Sequence, residues 1–98
     1  MDKFLRFKIQ FSPEAVRNLE DIPKEFAEKI VQDVERFLSE APFRSIKTRI
    51  KKLQHMGPSL YCLRVGDYRV YYRIQEKMVL LLKIMHKKDS DRWLKSIR

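Results

Sequence analysis

The chain has 98 residues, 22 Lys and Arg against 13 Asp and Glu, a formal charge of +9 and 44% hydrophobic side chains, which leaves room for one small core and excludes large multidomain enzymes and disordered basic tails. Its one cysteine, Cys62, cannot close an intrachain disulfide, so a disulfide-stapled secreted fold is excluded and a reducing compartment, the cytoplasm, is expected. The longest apolar run, Met78 to Leu82, is far below the ~20 residues that span a bilayer, and no export signal or membrane span is expected.

In chain order, Leu5, Phe7, Ile9 and Phe11 alternate with Arg6, Lys8 and Gln10, which predicts a strand with one face on a core. Ser12-Pro13 reads as an N-cap followed by proline at the first helical position, and Ala15, Leu19 and Ile22 recur at helical spacing until Pro23. A second helix follows: Phe26, Ile30, Val34, Phe37 and Leu38 form one stripe that ends before Ala41-Pro42. Residues 43–59 show no clear period and read as a partly extended loop with short strand or turn segments. Tyr61–Val65 and Tyr68–Ile74 are β-rich runs joined by Gly66-Asp67, a hairpin signal. The apolar run Met78–Met85 suits a central strand, and Asp89 or Ser90 is placed to cap a final helix that packs Trp93, Leu94 and Ile97. These elements form one α+β domain.

The charge is polarised along this order. Residues 12–40 carry four basic and eight acidic side chains, whereas residues 41–73 carry eight basic and one acidic, Asp67. Such a field suits a polyanion on one face of the C-terminal half; the plainer alternative is a solubilising excess.

A two-residue Gly66-Asp67 turn sets Val65 opposite Tyr68, Arg64 opposite Arg69, Leu63 opposite Val70 and Cys62 opposite Tyr71. Two like charges directly opposed destabilise a ladder, so β-propensity does not account for the pair. A phosphate does, because guanidiniums donate bidentate hydrogen bonds to it and stay charged. Alternation leaves Arg69, Tyr71 and Arg73 on the face of Arg64, with Tyr71 an exposed surface for base stacking. The competing reading is that the arginines extend into water or pair with helix carboxylates. The lysine-rich loop with Lys47, Arg49, Lys51 and Lys52 is expected to hold RNA by charge. His55, in the same loop, reads as exposed. No Cys/His spacing suits zinc, no paired acidic site suits magnesium and no glycine-rich loop suits a nucleotide, so neither metal nor cofactor is expected.

The stretch Tyr61–Ile74, YCLRVGDYRVYYRI, resembles the strand-turn-strand signature of the RelE/ParE superfamily of bacterial and archaeal toxin–antitoxin toxins, typically Y-R-(L/I)-R-x-G-(D/K)-Y-R-(V/L)-(I/V)-Y. Phe11-Ser12-Pro13-Glu14-Ala15 opening a helical hairpin, and His86-Lys87-Lys88 at the place of an H-R-R-like element, extend the likeness over nearly the whole chain. The resemblance implies an N-terminal strand and helical hairpin packed on a twisted antiparallel sheet of about four strands, with a short C-terminal helix and a basic concave surface. It implies either a RelE-like endoribonuclease, cutting mRNA on the ribosome by 2′-hydroxyl attack without a metal, or a ParE-like inhibitor of DNA gyrase. Both imply a small acidic antitoxin as partner.

Carried over by position, the resemblance makes Arg69 the phosphate-contacting arginine, Arg64 the basic residue facing it, Lys87 and Lys88 the basic pair after the last strand, and His86 a proton-transfer residue; the plainer reading of His86 is a hydrogen-bonded strand end. Cys62 stands where a basic residue is common. Trp93 falls near the position of a catalytic tyrosine, which favours the gyrase alternative, and its plainer role is core packing.

Overall fold

The computed structural model describes residues 6–44, 49–53 and 59–96. The element order is β1 (Lys8–Phe11), α1 (Pro13–Asp21), α2 (Lys24–Leu38), β2 (Ile50–Leu53), β3 (Leu60–Val65), β4 (Tyr68–Gln75), β5 (Met78–His86) and α3 (Lys87–Ser96). The five strands form one mixed sheet in the order β1-β5-β4-β3-β2. Relative to the expectation, β2 is an additional strand, drawn from the aperiodic stretch by pairing Ile50 with Leu63 and Leu53 with Leu60. The chain between β1 and β5 returns β1 parallel to β5, Lys8 opposite Met78 and Phe11 opposite Leu81; the other pairs are antiparallel. The apolar run of β5 thus lies between two neighbours, as its composition requires.

Local chemistry sets the helix starts. The Ser12 hydroxyl accepts from the Ala15 N–H at 3.0 Å, capping α1, and donates to the Leu82 carbonyl at 3.0 Å, tying the cap to β5. Pro13 stands in the first turn, where no N–H is needed. The sequence placed the start of α3 at Asp89 or Ser90, but the helix begins at Lys87 because the imidazole of His86 supplies the cap: its Nδ1 accepts from the Lys88 N–H at 3.1 Å.

Both faces of the sheet are covered. On one, Ala15, Ile30, Val34 and Leu38 of the hairpin pack on Ile50, Leu63, Val65, Val70, Tyr72, Val79, Leu81 and Ile84. The Tyr72 ring is fully buried, stacks on Tyr61 at 5.4 Å and donates its hydroxyl proton to the Pro42 carbonyl at 2.6 Å. On the other face α3 lays Trp93 and Leu94 over Leu60, Cys62, Tyr71 and Met85. Ile97, expected beside them, lies outside the described residues. A register shift between Tyr71 and Tyr72 marks a bulge in the β4–β5 ladder, and on β5 close by, the Ile84 N–H donates to Asn18 Oδ1 at 2.9 Å. Among the described residues, no helix is long and apolar enough to cross a membrane.

Candidate functional site

The β3–β4 hairpin has the register its turn demands: Val65 opposite Tyr68, Arg64 opposite Arg69, Leu63 opposite Val70 and Cys62 opposite Tyr71. Gly66 has φ +57°, the left-handed sign required at the first central position of a type II′ turn. Because the pleat alternates, Arg64, Arg69, Cys62 and Tyr71 share the face that α3 covers.

Between that face and α3 lies a cleft of about 300 Å³. Among the described residues, four cations from four elements line it: Lys51 from β2, Arg64 from β3, Arg69 from β4 and Lys87 from α3. The lining also includes Tyr71, Ser90 and one carboxylate, Asp91. Arg69 is held in place, since its Nη1 donates to the Gly66 and Tyr68 carbonyls, each at 3.0 Å. Among the described residues no carboxylate pairs with Arg64 or Arg69, whereas Lys87 Nζ lies 3.4 Å from Asp67 Oδ1. Two guanidiniums left uncompensated at one cleft have the donor chemistry that an oxyanion requires.

The phenol and the thiol of the cleft, Tyr71 and Cys62, stay protonated at neutral pH. Burial pushes the Tyr71 phenol up to about 12, and burial also raises the Cys62 thiol, against the opposing pull of Arg69, Arg64 and Lys51. Neither is a base under those conditions. The expected exposed platform at Tyr71 is not there: the residue is 2% exposed, with Trp93 stacked obliquely over it at 4.7 Å between centroids. Trp93 takes the packing role.

Other expected site residues are dispersed. His86 pairs across the ladder with Tyr68, and its ring meets the Tyr68 edge at 5.5 Å; Arg69 pairs instead with Met85. The imidazole therefore lies on the hairpin side of the sheet and does not line the arginine cleft. With Nδ1 accepting a backbone hydrogen bond, its neutral form carries the proton on Nε2, which is 4.0 Å from Asp67 Oδ2. Lys88 is exposed in the first turn of α3 and lies outside the cleft.

Arg49 is committed to the fold. Its Nη2 pairs with Asp33, its Nε donates to the Arg64 carbonyl at 3.1 Å and its guanidinium lies 4.5 Å from the Phe37 ring centroid. Lys51 joins the cleft, while Lys52, opposite Tyr61, is exposed on the other face. Arg73, opposite Leu80, lies beyond the cleft and has a buried Nε without a hydrogen-bond partner. Lys47 and His55 fall outside the described residues. Ser90, Asp91 and Leu94 were missed as lining residues; their signal is the helical spacing of 87, 90, 91 and 94 once α3 is started at Lys87. Among the described residues no three His, Cys, Asp or Glu side chains gather as a metal ion requires.

Comparison with known proteins bears on this geometry. A family model described as ParE toxin of type II toxin–antitoxin system, parDE, matches residues 9–90. In the solved RelBE2 toxin–antitoxin complex from Mycobacterium tuberculosis, a chain 27% identical superposes with TM-score 0.73 over 88% of this chain and 97% of that one. The archaeal RelE–RelB complex from Pyrococcus horikoshii gives 25% identity and TM-score 0.65 over 83% and 94%. A mutant of the E. coli toxin RelE in the free state, 16% identical with TM-score 0.59 over 95% and 99%, shares the fold. No curated protein sequence matches the chain. With a family model spanning most of its length and a RelE-like fold beneath it, the chain belongs to the ParE toxin family of type II toxin–antitoxin systems, within the RelE/ParE superfamily.

Proposed function

We propose that this toxin is a RelE-like endoribonuclease that cleaves mRNA on the ribosome, in the cytoplasm. The observation that carries the reading is the Arg64–Arg69 pair, without a carboxylate partner among the described residues, at a cleft also lined by Lys51 and Lys87. The ribose 2′-oxygen bonds to phosphorus as its proton passes to water, and the bond to the 5′-oxygen breaks as that oxygen takes up a proton, leaving a 2′,3′-cyclic phosphate and a 5′-hydroxyl. Arg64 and Arg69 hold the non-bridging oxygens, whose charge rises in the transition state. Lys87, which lines the same cleft, protonates the departing 5′-oxygen in this reading. Lys51, and Lys47 and Lys52 from the basic segment, add attraction for ribosomal RNA, with Arg73 and Lys88 farther out.

Inhibition of DNA gyrase is the second reading, favoured by the ParE family match and by a cleft that, among the described residues, is lined by no histidine and buries its tyrosine under Trp93. In either case the partner is an acidic antitoxin that covers the basic sheet face and folds on binding, a proposal supported by the toxin–antitoxin complexes among the similar structures. Translation in vitro with mapping of mRNA ends, run beside a gyrase supercoiling assay, separates the two. New ends with 5′-hydroxyls that require the ribosome and Arg69 support the nuclease; intact mRNA with arrested gyrase overturns it.

A further inference from the structure

Around the hairpin turn from the arginine cleft lies a second cavity of about 410 Å³, walled by Phe26 of α2 and by Tyr68 and His86, with Lys29 and Asp67 also lining it. Its aromatic rings touch one another: Phe26 lies tilted on Tyr68 at 5.7 Å and 42°, and Tyr68 meets His86 edge to face at 5.5 Å and 76°. Phe26 belongs by its spacing to the buried stripe of α2, yet it is 47% exposed, while Ile30, Val34 and Leu38 of the same stripe are buried. An exposed ring beside two others, at a cavity that also holds a carboxylate and an imidazole N–H, offers a flat surface and edge hydrogen bonds together.

The cavity adjoins the cleft through the turn itself. The Gly66 carbonyl accepts from the Arg69 guanidinium, and both Gly66 and Asp67 line the cavity. We infer that this cavity is a nucleobase site: it takes a base flanking the phosphate held by Arg64 and Arg69, stacked against Phe26 and Tyr68, so that single-stranded RNA bends over the Gly66-Asp67 turn. The inference rests on the phosphate reading of the arginine pair. A base is favoured over an apolar anchor from a protein partner because the cavity adjoins the arginine cleft through the turn and presents ring faces beside the Lys29 cation. Base–aromatic stacking is tolerant of sequence, so the site contributes register along the strand without strict choice of base.

The test is fluorescence anisotropy with a labelled single-stranded RNA hexamer at low salt, and with the same hexamer carrying an abasic ribose at each position in turn. For the native protein, one abasic position is expected to weaken binding about tenfold. Phe26→Ala should weaken the intact hexamer by a similar factor and be indifferent to that abasic position, Phe26→Tyr should bind as the native protein does, and Arg69→Ala should weaken every hexamer. Ultraviolet crosslinking of a 5-iodouridine hexamer to the native chain should label the peptide containing Phe26 or Tyr68.

Native affinity in Phe26→Ala with loss in Arg69→Ala, or crosslinks only elsewhere, overturns the base site and leaves the phosphate reading standing. Loss in Phe26→Ala with native affinity in Arg69→Ala overturns the phosphate reading and keeps the base site. If Phe26→Ala weakens binding of a co-expressed antitoxin and leaves RNA affinity unchanged, the cavity holds a protein side chain and the base site is overturned.

Discussion

Arg64 and Arg69 stand directly opposite each other on neighbouring strands, with no carboxylate paired to either among the described residues. Like charges in that position cost a ladder roughly 0.2–1 kcal/mol, so Arg64→Ala should leave thermal stability unchanged or raise it slightly. Growth arrest on expression should be lost in Arg64→Ala and Arg69→Ala alike. Arg69→Lys should lose most of it too, because a lysine keeps the charge and lacks the planar fork. Growth curves beside thermal melts of the purified variants check this; a folded Arg69→Ala that still arrests growth removes the arginine pair from the mechanism.

Asp33 is 2% exposed and holds Arg49 and Lys29, the latter at 3.2 Å. The Arg49 contact ties the segment leading into β2 to α2. Removing the carboxylate leaves a half-buried guanidinium uncompensated, so Asp33→Ala should destabilise the fold by about 2–4 kcal/mol. Adding Arg49→Met should recover part of that loss. Urea unfolding of the single and double variants measures the coupling, and strictly additive losses would show that the pair does not act as a unit.

Lys83 pairs with Glu14, linking β5 to α1, and this hydrogen-bonded ion pair holds the Glu14 carboxyl below the ordinary glutamate value of 4.5. A depressed carboxylate stabilises the fold in full above its unfolded-state pKa and loses that contribution as pH falls through its folded value. The pair's stability should therefore be intact at pH 7 and fade below pH 4.5. Both side chains are solvent-accessible, so the size is at most about 1 kcal/mol and shrinks with salt. Glu14→Gln should remove this part of the acid dependence in denaturant titrations run from pH 7 downward.

Glu76, in the β4–β5 turn, has φ +55° without being glycine. The left-handed region costs an ordinary residue roughly 1 kcal/mol. Glu76→Gly should thus raise the melting temperature by a few degrees, less the entropy that glycine adds to the unfolded chain. Gly66→Ala should do the reverse at φ +57° by backbone strain alone, because its added Cβ meets no atom within 4 Å. Melting curves of the two variants read both signs.

Local chemistry made much of this fold legible from the sequence. The Ser12-Pro13 start, the apolar stripe of α2 and the Cys62–Tyr71 through Val65–Tyr68 register follow from caps, periodicity and a two-residue turn, all of which act within a few residues. Because the hairpin register is local, the sequence by itself sets the two arginines opposite each other. Long-range contacts decided the rest. Pairing with β3 turned part of an aperiodic stretch into β2; Asp33, sixteen residues away, took Arg49 out of the free cations; and α3, laid across the sheet, buried Tyr71 beneath Trp93. The face taken by His86 depended on the register of β5 against β4, which includes a bulge. Periodicity reports which residues share a face of one element, but burial, charge pairing and the side a strand-end residue presents depend on what packs against that element. That information belongs to the assembled sheet and helices.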